Sequence, residues 1–351
     1  MKQYFAAFAV GVSLSACSGD GTNPFDTTAT TGDTTTTDTG DTGTDIDGDR
    51  TMPPGTASPT ADASIFRSEP TSTDGGNNGD GSVSGVTYNA ASDTFVVDGL
   101  AFDGDNTYAR GTNVSSLGPY AVYEASAQVT DPSTGTPINQ FTHRAIYGIS
   151  NTANTQFAIV RTGAYADFGF GGFVYQREGG VTLPSTGQAA YSGSVSGIRD
   201  FSGAGGLQYS TADINIAIDF DDFDDTTGTR GDGVQGSITN RTIFDINGND
   251  VTQSVIDGIN TNEDASLTAI PTALFTVGPG VLDDNGELLG TLSSTFVDNT
   301  GEVVQFETGN YYAVVSGDNA DEIVGIVVLT TSVGQPDGVT VRDTGGFIVY
   351  R

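Results

Sequence analysis

Between residues 211 and 220 apolar and polar positions alternate. Ala212, Ile214, Ile216, Ile218 and Phe220 fall on one face, and Thr211, Asp213, Asn215 and Asp219 on the other. A period of two with one apolar face predicts a half-buried β-strand. The same pattern runs through the second half of the chain. Asp284-Asn285-Gly286 and Asp298-Asn299-Thr300-Gly301 read as hairpin turns on either side of an apolar run from Leu288 to Val297. Val303 to Val315 and Ile323 to Leu329 follow as long apolar strands. From Gly187 onward this spacing predicts about eight strands. Eight antiparallel strands joined by short turns suffice to close a small barrel and remove its edges.

An earlier block, 83 to 180, is also β in character. It contains Phe95-Val96-Val97, Tyr120-Ala121-Val122-Tyr123, Arg144-Ala145-Ile146-Tyr147 and Phe157-Ala158-Ile159-Val160, separated by Gly, Asn and Asp. Its last strands, through Phe168, Phe170, Phe173 and Tyr175, are dense in aromatics. No run shows convincing helical periodicity. Pro184 makes a boundary between a β-rich region at 64–183 and the barrel region at 184–351. Ser18 to Ala63 is a Thr-, Asp- and Gly-rich segment with too few apolar groups to offset ordering entropy, so it is expected to be disordered. As a flexible tether from 17 to 63 it would reach roughly 35–40 Å.

The amino terminus carries Lys2 and then an apolar stretch from Tyr4 to Leu14. That is too short for a membrane-spanning helix, which needs roughly 20 apolar residues, but it suits a secretory signal. It ends in Leu14-Ser15-Ala16-Cys17, and Cys17 is the sole cysteine. This order resembles the lipobox of bacterial lipoprotein signal peptides. The resemblance implies removal of residues 1–16 and acylation of Cys17 on its sulfur and new amino terminus. Two or more acyl chains anchor stably where one does not, at roughly 0.8 kcal/mol per buried methylene. Ser18 stands where an Asp would retain an enteric-type lipoprotein at the inner membrane, so the expected destination is the outer membrane.

Charge narrows the partners. The net charge is −32 with an isoelectric point near 4.1, and Lys2 is the only lysine. A chain so acidic lacks the basic footprint of a nucleic-acid binder or of a basic membrane patch. Such a surface needs screening, which fits a salty habitat. Once Cys17 is acylated no disulfide can form within the mature chain.

Candidate chemistry is sparse. His143, in Gln140-Phe141-Thr142-His143-Arg144, is the only histidine, and no G-x-S-x-G elbow accompanies it. A scaffold role for His143 is the expectation. A haem-ligand role would need an apolar cleft around it, and zinc lacks ligands. Asp45, Asp47 and Asp49 mimic part of a calcium loop, but Arg50 replaces the required glycine. Asp219, Asp221, Asp222, Asp224 and Asp225, and separately Asp245 to Asp250, group carboxylates suited to a hard cation. Neither has a known loop spacing, and acidic turns between strands account for both. No carboxylate pair is singled out for glycoside hydrolysis. No catalytic residue, metal or cofactor is therefore expected.

The second half also resembles one family. Leu183-Pro184-Ser185-Thr186-Gly187-Gln188-Ala189-Ala190-Tyr191-Ser192-Gly193 is similar to the opening strand of transferrin-binding protein B-like barrels. Gly309-Asn310-Tyr311-Tyr312-Ala313-Val314-Val315-Ser316-Gly317, Ala320-Asp321-Glu322-Ile323-Val324-Gly325 and the ending Gly345-Gly346-Phe347 resemble later strands of that barrel. The resemblance implies an all-β protein with an N-terminal handle-like region followed by an eight-stranded antiparallel up-and-down barrel. It also implies a surface lipoprotein whose partner is held by variable loops, so no contact residue carries over. Known members bind host proteins such as transferrin or complement factor H, and some relatives bind haem. Read without the family, Gly187, Gly193 and Gly325 mark bends or tight crossings. Tyr191, Tyr311 and Tyr312 offer hydroxyls able to stay wet, and Glu322 is placed to accept backbone N–H bonds. A membrane-spanning barrel is disfavoured, because the acidic composition supplies no apolar outer band. The expected function is a non-enzymatic outer-membrane or surface binding protein for a protein or a small iron-bearing ligand, with a dedicated exporter. A structural or adhesive envelope module is the alternative.

Overall fold

A computed structural model describes residues 64–351 except 101–102, 104–105, 164–166, 225–228 and 280. Cys17 and the 17–63 segment lie outside the described residues. The first block contains β1 (Ile65–Ser68), β2 (Gly85–Asn89), β3 (Thr94–Asp98), β4 (Thr107–Arg110), β5 (Ser116–Leu117), β6 (Tyr120–Ala125), β7 (Gln128–Thr130), β8 (Pro137–Asn139), β9 (Arg144–Ile149), β10 (Thr155–Arg161) and β11 (Gly171–Arg177). The second contains β12 (Gln188–Ser202), β13 (Leu207–Asp224), β14 (Thr229–Asp245), α1 (Thr252–Asn262), β15 (Ala273–Phe275), β16 (Gly278–Pro279), β17 (Glu287–Val297), β18 (Val303–Ser316), β19 (Glu322–Thr331) and β20 (Thr340–Tyr350).

Eight strands close on themselves in the order β12-β13-β14-β15-β17-β18-β19-β20, with β20 returning to β12. Every neighbouring pair is antiparallel, and β16 adds to β14. The all-β, eight-stranded barrel read from the alternation is the architecture found. Ile214, Ile216, Ile218 and Phe220 of β13 point into its core with Tyr191, Leu292, Val327 and Phe347. Asp213 and Asn215 point to solvent.

The barrel interior is not apolar throughout. Toward one end Arg199, Arg241, Glu307 and Asp343 meet, with Arg241 bonded to Glu307 and 3.8 Å from Asp343, and Arg199 3.8 Å from Asp343. Burial pushes the Asp343 carboxyl up, and the two guanidiniums pull against that. A bulge in β14 aims Arg241 inward, since the pairing with β13 slips between Thr211 and Asp213.

Beyond this ionic layer lies α1, the helix that the sequence pattern does not announce. Its buried residues are Ile256 and Ile259, packed with Ile243, Ile270, Phe296 and Phe306. Three apolar positions in eleven residues, Val255, Ile256 and Ile259, leave too thin a stripe to stand out, and the greasy barrel end supplies the rest of the driving force.

The first block forms a curled sheet in the order β1-β11-β10-β9-β6-β4-β3-β2, with β5 on β6; β7 and β8 form a separate hairpin. One face wraps around Phe95, Val97, Tyr108, Tyr123, Ala158 and Val160. The other lays Tyr120, Ile146, Phe157, Ile159 and Phe173 on the outer wall of the barrel, against Ile198, Tyr312, Val324, Ile326 and Ile348. Both faces are buried, which is why β9 and β10 read as unbroken apolar runs.

Candidate functional site

Apolar contact between sheet and barrel is reinforced by buried ion pairs. Arg67 on β1 donates to Glu287 on β17 through Nε and Nη2, both at 2.9 Å. Arg161 on β10 donates to both oxygens of Glu69, at 2.8 and 2.7 Å. Its Nε lies 3.6 Å from Asp200 on β12. Arg342 on β20 donates to Asp200 at 3.0 and 2.6 Å and to Asp80 at 2.6 Å. Burial raises the Asp80 carboxyl, but the charges of Arg342 and Arg161 outweigh it and hold the group below its usual range. Arg177 donates to the carbonyls of Asn285 and Val315. Burial pulls this guanidinium down to about 10. Arginine thus faces inward at the joint, and the −32 chain keeps much of its anionic surface unanswered.

The joint leaves a recess on one side. The loop between β4 and β6, the outer wall of β12–β14 and the turn after β14 enclose a cleft of about 620 Å³. Its walls include Asn113, Ser116, Ser194, Thr211, Asn240 and Phe244. The loop is pinned on several sides. Ser196 Oγ donates to the Leu117 carbonyl at 2.9 Å, Tyr120 Oη donates to the Ser194 carbonyl at 2.9 Å, and Asn113 Nδ2 donates to Asn247 Oδ1 at 3.0 Å. Asn240 occupies the bulge of β14 at φ +52°, a left-handed conformation uncommon for a strand residue. Its Nδ2 donates to Asp213 Oδ2 at 2.7 Å. The hydroxyls of Ser116, Ser194 and Thr211 make no side-chain hydrogen bond to another described residue. Preformed recesses between packed units are where ligands bind most often. Two further grooves, of about 350 and 570 Å³, adjoin on the outer wall of β12–β15 below the exposed Leu274 and Val277.

The residues singled out in the sequence do not gather here. His143 is fully buried just before β9, between Phe141 and Tyr108, and burial pulls it down to about 4. The imidazole is enclosed, and its Nε2 has no hydrogen-bond partner among the described residues, so it is neither the surface residue nor the fully satisfied one expected of a scaffold histidine. The hydroxyls expected to stay wet are inside: Tyr191 and Tyr312 are 1% exposed and Tyr311 is 0% exposed. Tyr191 Oη donates to the Ala320 carbonyl at 2.7 Å, and Tyr311 stacks on Phe275 at 4.2 Å. Glu322 accepts from the hydroxyls of Thr152 in the β9–β10 turn and Thr155 at the start of β10 rather than from backbone N–H groups, so it serves the joint.

Gly193 and Gly325 do mark tight crossings. A Cβ on Gly193 would meet the Ile348 carbonyl at 2.5 Å, and one on Gly325 would meet Ala313 Cβ at 2.5 Å. Gly187 sits at φ +92° in an open turn.

The acidic groups also resolve differently from the reading as turns. Residues 219–224 lie in β13, with a second slip between Asp219 and Asp222, whereas Asp225 lies outside the described residues. Nearby Asp232 is pushed up to about 6 by burial and by Asp284, Asp219 and Asp221. Asp245 does shape a turn. Its Oδ1 accepts the N–H groups of Asn247 and Asn249 at 2.8 and 2.9 Å, and its Oδ2 accepts Asn249 Nδ2 at 2.8 Å. Asp283 and Asp298 repeat the same hydrogen bonds two and four residues on. Sequence reasoning missed the cleft. The one signal available was Asn240 within a strand-like run.

No protein-family profile matches the chain, and no curated protein matches it by sequence. Among solved structures it is similar to a double mutant of transferrin binding protein B from Haemophilus parasuis Hp5, a vaccine antigen. That likeness has 14% identity and a TM-score of 0.38 over 82% of this chain and 45% of that one. Intact Ap-TbpB, with its N and C lobes, aligns at 14% identity and a TM-score of 0.35 over 81% and 46%. A protein described as a surface lipoprotein aligns at 11% identity and a TM-score of 0.27 over 57% and 78%. The chain spans less than half the length of the two transferrin-binding structures.

Proposed function

We propose that the chain is a non-enzymatic binding protein held to the outer-membrane surface by acyl chains on Cys17. Residues 17–63 act as its tether, 64–183 as the handle-like unit and 184–351 as the barrel unit. The observation that carries the binding role is the preformed cleft of about 620 Å³ at the joint between sheet and barrel, with side-chain hydroxyls left without protein partners. A rigid joint supports this use, because a site held by buried ion pairs on two packed sheets needs little ordering when a partner arrives. The partner class is a protein or a small iron-bearing solute reached from the loops around the cleft. The lipobox resemblance at Leu14-Ser15-Ala16-Cys17 supports the anchor and the envelope location. Export across the outer membrane would need a dedicated exporter.

Intact cells carrying the full chain should lose it to added protease, and Cys17→Ala should accumulate as unprocessed precursor. Full protection from protease, or normal processing and membrane association of the variant, removes the surface-lipoprotein reading. A pull-down with the full chain and a titration with haem, watched for a Soret shift, separate a protein partner from an iron-bearing solute.

A further inference from the structure

The chemistry of the cleft is more specific than its volume. Among its lining residues the only charged side chain is Asp213, and Asn240 already donates to it at 2.7 Å. The rest of the polar lining is amide and hydroxyl. On the handle side stand Asn113 and Ser116; on the barrel side stand Ser194, Thr211 and the Oδ1 of Asn240. Half-buried Phe244 and Val114 give the recess an apolar side next to these groups. An anionic ligand would enter against the field of a −32 chain and find no cation in the lining. A cationic ligand would find one carboxylate, already bonded. A fully apolar ligand would strand the hydroxyls without partners, which costs roughly 1–3 kcal/mol for each group left buried and unsatisfied.

What remains is a neutral molecule with many hydroxyls, alternating polar edges with C–H faces that can lie on an aromatic ring. The backbone strain at Asn240 falls at this spot. The bulge holds a non-glycine residue at φ +52° and leaves its amide at the cleft. Strained strand residues and bulges concentrate where a side chain must be re-aimed for a task.

We propose that the cleft between the handle loop and the outer wall of β12–β14 binds a neutral oligosaccharide, free or carried on a protein, through Asn240, Thr211, Ser194 and Ser116 with Phe244 as the apolar platform. This deepens the binding role proposed above and rests on it; of the two partner classes named there it keeps the protein, as the carrier of a glycan, and assigns the cleft itself to sugar rather than to an iron-bearing solute.

The test uses the full chain in calorimetric titrations with mannotriose, maltotriose and triacetylchitotriose. A parallel arm compares ribonuclease B, which carries a neutral mannose glycan, with ribonuclease A, the same protein without it. Saturable binding of a trisaccharide marks free sugar as sufficient. Binding of ribonuclease B alone marks a protein-borne glycan. Asn240→Gly keeps the left-handed backbone and deletes the amide, and Ser194→Ala deletes one hydroxyl. Each should weaken binding at least fivefold with an unchanged melting midpoint or a higher one. Ser237→Ala, on the neighbouring groove, should leave binding within twofold. The proposal is overturned if neither arm shows saturable binding, or if Asn240→Gly and Ser194→Ala bind within twofold of the parent chain. It is also overturned if Ser237→Ala weakens binding as much as they do. Such failure leaves protease exposure and Cys17 processing untouched, so the surface-lipoprotein reading stands or falls separately.

Discussion

At the scale of single residues, stability is concentrated in buried charges that answer one another. Asp200 is 0% exposed and receives Arg342 at 2.6 Å and Arg161 at 3.6 Å. Removing its charge leaves two guanidiniums undercompensated in a site that water cannot reach. Asp200→Asn should cost about 3–5 kcal/mol in urea denaturation, whereas Arg110→Ala, at the half-exposed pair with Asp93, should cost about 1 kcal/mol or less. Equal losses would contradict the assignment of the joint. Two groups titrate with opposite sign. His143 has a folded value near 4, below its ordinary 6.5, so its contribution is present above pH 6.5 and is lost as pH falls toward 4. Asp232 has a folded value near 6, above its ordinary 3.8, so stability gains as pH falls from 6 toward 3.8. The two contributions oppose each other across the same window. Asp232→Asn should therefore steepen the acid-side loss measured by thermal melts, and His143→Gln should flatten it. These roles were unevenly legible. The solitary histidine stood out in the sequence but its enclosure by Phe141 and Tyr108 did not, and Arg67 and Glu287 are 220 positions apart with nothing local to either naming the other.

At the scale of elements, the hydrophobic pattern records more than strand identity. β13 alternates because its outer face meets solvent, whereas β19 is almost unbroken in apolar residues because its outer face lies under the sheet. The distinction between alternating and continuous runs thus reports which barrel strands are covered. Gly346 shows how close that cover is, since an added Cβ would lie 2.0 Å from the Phe157 ring. Gly346→Ala should destabilise by about 1–3 kcal/mol, as overpacking does in a core without slack. A neutral outcome would mean that the sheet can lift from the wall. Turns were equally readable. The Asp-x-x-Gly order at Asp245, Asp283 and Asp298 places glycine at φ +86°, +81° and +91°, where a side chain is strained. The helix α1 was not readable, because its two buried isoleucines gain their partners from β14 before them and from β17 and β18 well beyond them, outside any short window of sequence.

At the scale of the whole molecule, sheet and barrel share one interface core and several ion pairs, so they should unfold together. Far- and near-ultraviolet circular dichroism should give coincident thermal transitions; two separated transitions would show that the joint is weak. Self-repulsion is the other global term. With a net charge of −32 and arginines turned inward, the exterior repels itself over a Debye length that shrinks from about 8 Å at physiological ionic strength to about 3 Å at 1 M salt. The melting midpoint should climb as NaCl is raised from 0.05 to 1 M, and a flat response would place the excess charge away from the folded body.

Local order along the chain determined the strands, their sidedness, the hairpin turns and the acidic balance. Each follows from neighbours a few positions apart: the period of two, the left-handed glycine, the Asp that caps its own turn. Tertiary structure alone decided which arginine meets which carboxylate, that a charged layer and a helix fill one end of the barrel, and that a loop and a wall enclose the cleft. Those outcomes depend on barrel register and on where the curled sheet lands. Both are set by contacts between residues far apart in the chain, which no short window of sequence contains.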